Sequence, residues 1–143
     1  MNRLKVFILE DDPYRMRIFR EDLFEVADIT HAGSCTEIEK FQPPYDFIFL
    51  DHDLGGRQME ENEDSGTTFA RLIKDQIQNS NIPIVIHSYN QSGAQRMLDI
   101  LSLPFAQWMP FGGVAFSHAI EFIRETCKNA NTTDSEEALG KTE

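Results

Sequence analysis

Three short stretches hold the residues whose types and spacing suit chemistry: Glu10, Asp11 and Asp12; Asp51, His52 and Asp53; and His87, Ser88 and Asn90. Carboxylates gathered in one place repel one another and stay partly protonated unless a cation sits among them. Such acids point to a hard divalent ion, Mg2+ or Mn2+, held by two or three oxygens. An ion so held orients a phosphoryl oxygen and neutralises its charge. Imidazoles titrate near neutrality and suit proton exchange with an attacking water and a leaving oxygen. Each stretch also has a plain structural reading. "EDDP" can be a helix cap alone, "DHDLGG" a polar turn, and His87 a core histidine bonded to a carbonyl. The choice depends on whether the chain brings the three stretches together.

The elements around them say that it does. Apolar residues alternate between short continuous runs and helical spacing, the pattern of strands buried on both faces by crossover helices. Strands are expected at "LKVFILE", "DITHAG", "DFIFLD", "PIVIHS" and "FAQWM". The first helix is expected over "DPYRMRIFREDLFEVA", with Asp12 as cap and Pro13 at the first helical position. A short helix over "SCTEIEKF" follows the second strand, ending at "QPP". The third, "SGTTFARLIKDQIQ", presents Phe69, Leu72, Ile73 and Ile77 as one apolar face. "NQSGAQRMLDILS" turns Ala94, Met97, Leu98 and Leu101 into the core, and "VAFSHAIEFIRETC" closes the domain with Phe116, Ile120, Ile123 and Cys127 aligned. Trp108 reads as packing and Arg96 as a solvated helical arginine. Five parallel strands with right-handed crossovers give a doubly wound, flavodoxin-like α/β fold of strand order 2-1-3-4-5. In such a sheet the carboxyl ends of the strands share one edge, so the three polar stretches are expected to converge there.

At 143 residues the chain makes one domain, expected over 1–128, followed by a polar, disordered tail over 129–143. The net charge of −11 repels a polyphosphate backbone, which excludes duplex DNA as an expected partner. Part of that acidity is the loop "EENEDS" at 60–65. No apolar run approaches the ~20 residues of a membrane span. The start, "MNRLKVFILEDD", lacks the apolar core and cleavage site of a signal peptide, so a cytoplasmic protein is expected, with Cys35 and Cys127 reduced.

In register, these stretches resemble a response-regulator receiver domain to about residue 127. The resemblance implies Glu10 and Asp11 as metal-organising acids with Asp12 beside them, and Asp51 as the phosphoacceptor. It implies the main-chain carbonyl of Asp53 as a further metal ligand and Ser88 as the switch hydroxyl. "WMPF" resembles the family's fifth-strand Lys-Pro-Phe turn, with Met109 where the lysine belongs, so the charge that pairs with an acyl phosphate is absent. The loop between Gly55 and Ser65 is also longer than usual, and His52 and His87 are additions.

These departures agree with a narrower family, the cyclic-phosphate-processing receiver domains. The chain resembles them at "LDHDLG" and at "HSYNQSGAQRM", a His-Ser-x-Asn-x-x-Gly-x-x-x-Met pattern filled by His87, Ser88, Asn90, Gly93 and Met97. The implied activity is metal-dependent, phosphodiesterase-type processing of cyclic phosphates in nucleotides or RNA ends. In that reading Asp51, His52 and His87 are catalytic, Ser88, Asn90 and Gly93 hold the phosphate, and Glu10, Asp11, Asp51 and Asp53 hold Mg2+ or Mn2+. The partner is then a phosphate-bearing small molecule or nucleotide end. A second reading is a two-component signalling receiver phosphorylated on Asp51 by a histidine kinase or small donor, with a signalling partner protein. A third is a phosphate-independent interaction module without Mg2+ affinity.

Overall fold

The computed structural model describes residues 3–54 and 64–140, with side chains described through Cys127; residues 60–63 of the expected acidic loop lie outside them. Strands β1 (Leu4–Leu9), β2 (Ala27–Ala32), β3 (Phe47–Leu50), β4 (Ile84–Ile86) and β5 (Ala106–Trp108) form one parallel sheet in the order β2-β1-β3-β4-β5. Helices α1 (Pro13–Leu23), α2 (Gly66–Ile77), α3 (Gln91–Leu101) and α4 (Val114–Gly140) connect and close it. The expected doubly wound α/β architecture and strand order are both present.

Strand periodicity divides the core in two. Leu9, Ile48, Leu50, Ile84 and Ile86 face one side with Phe69, Ile73 and Met97 of α2 and α3. Val6, Ile8, Phe47, Phe49 and Val85 face the other with Phe19 and Leu23 of α1 and Phe116, Ile120 and Ile123 of α4. Strands β3 and β4 are buried on both faces throughout, which is why their sequences read as unbroken apolar runs. At the start of α1, Asp12 accepts a hydrogen bond from the Tyr14 amide (2.9 Å) and Pro13 needs no partner for a missing N–H.

Two expectations need correction. The segment Cys35–Lys40 is a 3-10 turn interrupted at Glu37 (φ −101°, ψ 23°), and it buries no side chain fully. Six residues are too few to recover the cost of nucleating an α-helix without such burial. Leu72 is 49% exposed, whereas Gly66, Phe69, Ala70, Ile73 and Ile77 are buried. At 100° per residue Leu72 stands roughly 110° from the centre of that stripe. The backbone of α4 runs on to Gly140, and no glycine or proline stands between Val114 and Gly140. Among the described residues no helix is long and apolar enough to cross a membrane, and both cysteines are free thiols.

The register matters most for the site. Leu9 pairs with Leu50, Leu50 with Ile86, and Ile86 with Trp108. Four strands therefore end level with one another.

Candidate functional site

Just past those level ends the ladder continues by one bond per strand: Asp51 N to Leu9 O (3.1 Å), His87 N to Leu50 O (3.0 Å) and Met109 N to Ile86 O (2.9 Å). Glu10, Asp51, His87 and Met109 thus stand abreast. Side chains alternate along a strand, so this row shares the face of Ile8, Phe49 and Val85, toward α1 and α4. The next residues, including His52 and Ser88, turn to the α2/α3 face.

In the first row Glu10, Asp51 and His87 are almost wholly buried, and their ligating atoms all lie within 4.8 Å of one another. His87 Nε2 is 2.9 Å from Glu10 Oε1. Glu10 Oε2 accepts from the Asp12 amide (3.0 Å), and Asp51 Oδ1 from the His52 amide (2.9 Å). The His87 ring is enclosed by Phe19, Phe49, Phe111 and Phe116, with centroids 5.3–6.4 Å away. Its Nδ1 has no hydrogen-bond partner among the described residues. Over the carboxylates lies Arg15 of α1: its Nη1 is 3.7 Å from Glu10 Oε1 and 3.6 Å from Asp51 Oδ2, and its Nε is 3.7 Å from Asp12 Oδ2. The guanidinium stacks on Tyr89 (5.0 Å) and Phe111 (5.6 Å).

The two acids respond in opposite directions. Burial, reinforced by the Glu10 charge, pushes the Asp51 carboxyl from its ordinary 3.8 to about 6, despite His87 and Arg15. Burial also works to raise Glu10, but the hydrogen bond and charge of His87 outweigh it and hold Glu10 below the usual carboxylate range. A buried acid whose ionisation is disfavoured, next to a second acid that stays ionised, is a site short of positive charge. The donor set of two carboxylates and an imidazole fits a small divalent ion.

The second row builds a different structure. His52 Nδ1 is 2.7 Å from Asp53 Oδ1, and Asn90 Nδ2 donates to the same Asp53 oxygen at 3.1 Å. Asn90 Oδ1 accepts from the Gly93 amide (3.0 Å) as the cap of α3, and Ser88 Oγ accepts from the Asn90 amide (3.0 Å). One asparagine therefore ties the β3 loop to the β4 loop and starts a helix. A Cβ on Gly93 would stand 2.6 Å from the His52 ring, so the glycine is there to admit the imidazole. Asn90→Ala is expected to cost about 1–2 kcal/mol of stability, measured by urea unfolding, since it removes the α3 cap and the Asp53 contact together.

The structure thus brings together Glu10, Asp51 and His87, and separately His52, Asp53, Asn90 and Gly93. It parts the two histidines, expected to act as a pair, because Asp51 stands in the row of His87 and His52, one residue further on, takes the opposite face. Asp11 is not among the clustered ligand atoms of Glu10, Asp51 and His87; it lines a neighbouring hollow with Glu10, Pro13, Met16, Arg17 and His31, and the Asp53 side chain turns to His52. The Gly93 amide and Ser88 hydroxyl, expected to hold phosphate, are engaged in the Asn90 turn. Trp108 packs and donates to Ser88 O (2.7 Å). Arg15 was missed, although an arginine in the first turn of a helix with no acid there opposes the helix dipole and so signals a nearby negative charge.

Comparison with known proteins fits this geometry. The model of the cyclic-phosphate processing receiver domain matches residues 8–102, a span holding Glu10, Asp51 and His87 together with His52, Asp53, Asn90 and Gly93. The chain belongs to this family. As a cyclic-phosphate processing receiver domain it also resembles solved receiver structures of low identity, which show the fold. The receiver domain of a Pseudomonas aeruginosa sensor histidine kinase, which has a magnesium ion coordinated in its active-site cleft, is 15% identical with a TM-score of 0.62, over 87% of this chain and 97% of that one. A Francisella response-regulator receiver domain is 19% identical with a TM-score of 0.59, over 90% and 99%. A Thermotoga maritima response regulator in complex with Mg2+ and beryllofluoride is 17% identical with a TM-score of 0.58, over 84% and 98%. Comparison with curated proteins finds no match. Within the family's pattern, Asn90, Gly93 and Met97 take a structural meaning here: cap, space for His52, and packing against Gly66.

Proposed function

We propose that this receiver domain opens a cyclic phosphate, in a nucleotide or at an RNA end, at the corner formed by Glu10 and Asp51. The observation that carries the reading is the buried cluster of Glu10, Asp51 and His87, with ligating atoms within 4.8 Å and an Asp51 carboxyl pushed up to about 6. Membership of the family supports it. These three residues would hold a divalent ion, which when bound would polarise a phosphoryl oxygen. The imidazole nitrogen in the set favours Mn2+ over the oxygen-seeking Mg2+.

The remaining work falls to the chain itself. In the ion-free protein His87, walled in by phenyl rings, pairs its Nε2 with Glu10 Oε1, and that nitrogen would turn to the ion when one is bound. An open hollow of about 710 Å3, lined by Asp53, Tyr89, Asn90, Gln91, Ser92 and Gln95, adjoins the corner and offers neutral amides and an aromatic face to a nucleoside. Asp53 is the member of the Asp53–His52 pair that lines this hollow. There it takes the proton of the attacking water as the new P–O bond forms, and the pair returns a proton to the ester oxygen that leaves.

Incubation with 2′,3′-cyclic and 3′,5′-cyclic nucleotides and Mn2+, followed by 31P NMR, is expected to give a nucleoside monophosphate. His52→Ala is expected to lower turnover by roughly 10²-fold or more, and Asp51→Asn to abolish it. Unchanged turnover in both variants contradicts the reading. The signalling alternative is favoured by one observation: Asp51 Oδ2 faces a cation, Arg15. It requires Asp51-dependent beryllofluoride binding without nucleotide turnover. A protein with no divalent affinity fits the interaction module instead.

A further inference from the structure

Met109 occupies the turn position where a receiver pattern has its lysine, and its side chain is directed elsewhere: it packs on the α1/α4 core and lines an apolar groove with Phe47, Val85 and Phe122. Among the described residues the cation that meets both buried carboxylates is Arg15, which comes from a different element. Its three contacts, at 3.6–3.7 Å, are each longer than a hydrogen bond, so the charge is placed but the guanidinium is not locked. It lies against Tyr89 and Phe111, whose own geometry is fixed by the Tyr89 hydroxyl donating to Phe111 O at 2.7 Å. Tyr89 is 61% exposed and also lines the polar hollow beside the site. The aromatic support under Arg15 therefore extends from the carboxylates out to the ligand's place.

A divalent ion bound to Asp51 Oδ2 at the ~2.1 Å of a small hard cation would stand within about 6 Å of Arg15 Nη1, whatever its direction. Two cations do not share that distance comfortably in a water-poor corner. Arginine is also the side chain whose planar fork matches two phosphoryl oxygens at once.

We propose that Arg15 is a displaceable counter-ion: it neutralises Glu10 and Asp51 while they hold no metal, leaves them when a divalent ion takes the carboxylates, and then clamps the phosphoryl oxygens of the ligand from its place on Tyr89. The cation lost at Met109 is thereby supplied by α1. This rests on the divalent-ion and phosphate reading of the site, and the two stand or fall on different results.

The test is calorimetry on the full chain with Arg15→Gln and Arg15→Lys. Mn2+ titrated into the ion-free protein is expected to bind Arg15→Gln at least ten-fold more tightly than wild type, because its competitor is gone. Inorganic phosphate titrated into the Mn2+-saturated protein is expected to bind Arg15→Gln at least ten-fold more weakly, with Arg15→Lys between the two in both titrations. A residue with only a structural role would weaken both. Wild type that binds Mn2+ while Arg15→Gln binds it no better overturns the counter-ion role alone. Phosphate affinity unaffected by Arg15→Gln overturns the clamp. Absence of Mn2+ binding in every variant removes the functional reading and this inference together.

Discussion

Asp51→Asn is expected to make the ion-free protein more stable at pH 7.5 while abolishing its divalent binding. The folded state holds the Asp51 carboxyl near 6 and the unfolded chain holds it near 3.8. Between those values the folded state binds more protons, so stability falls as pH rises through 6, and ionised Asp51 costs on the order of 2–3 kcal/mol at neutral pH. The amide keeps the shape and the acceptor for the His52 amide (2.9 Å) without the charge that repels Glu10. A gain of about 1–3 kcal/mol should be seen by urea unfolding at pH 7.5 and should vanish by about pH 3, where the carboxyl is protonated in both states. Loss of stability in Asp51→Asn at neutral pH would mean that the carboxylate is already compensated and the site has no need of a metal.

The largest destabilisation is expected from Gly66→Ala. A Cβ there would lie 2.1 Å from the main-chain oxygen of Asp51, 2.7 Å from His52 Cα and 2.8 Å from the Met97 methyl. The first two are backbone at the end of a central strand, and Gly66 N donates to His52 O at 2.8 Å, which pins the helix to that loop. Relief would require α2 to draw back from β3, at about 3 kcal/mol or more, or a fall in melting temperature of roughly 6–12 °C for a chain of this size. Thermal unfolding followed by circular dichroism reads it directly. A shift under 2 °C would show that α2 is not seated as described.

Much of the fold was legible because the central strands are buried on both faces. The runs of Val6–Leu9, Phe47–Leu50 and Ile84–Ile86 have no polar side to hide, and the residues after them mark where each strand stops. The 3-10 turn at Cys35–Lys40 was not legible, since six polar and apolar residues carry no period that separates a helix from a turn. Leu72 was misplaced because a leucine within a helical run fits a stripe read loosely, and only the angle of its neighbours excludes it. The convergence of Glu10 with Asp51 followed from strand ends alone. The parting of His52 from His87 was equally present in the alternation of side chains along β3 and β4, but grouping residues by strand end ignores which face each one takes. Arg15 lay beyond such reasoning in a different way: its position depends on how α1 lies across the sheet, which no local pattern fixes.

The most direct test of a single cation site at Glu10, Asp51 and His87 is a Mn2+ titration of the wild-type protein at pH 7.5, followed by electron paramagnetic resonance of the free ion. One ion per chain is expected, with affinity falling as pH drops through about 6 and Asp51 takes up its proton. No uptake of Mn2+, or uptake that is unaltered in Glu10→Gln and Asp51→Asn, would contradict it.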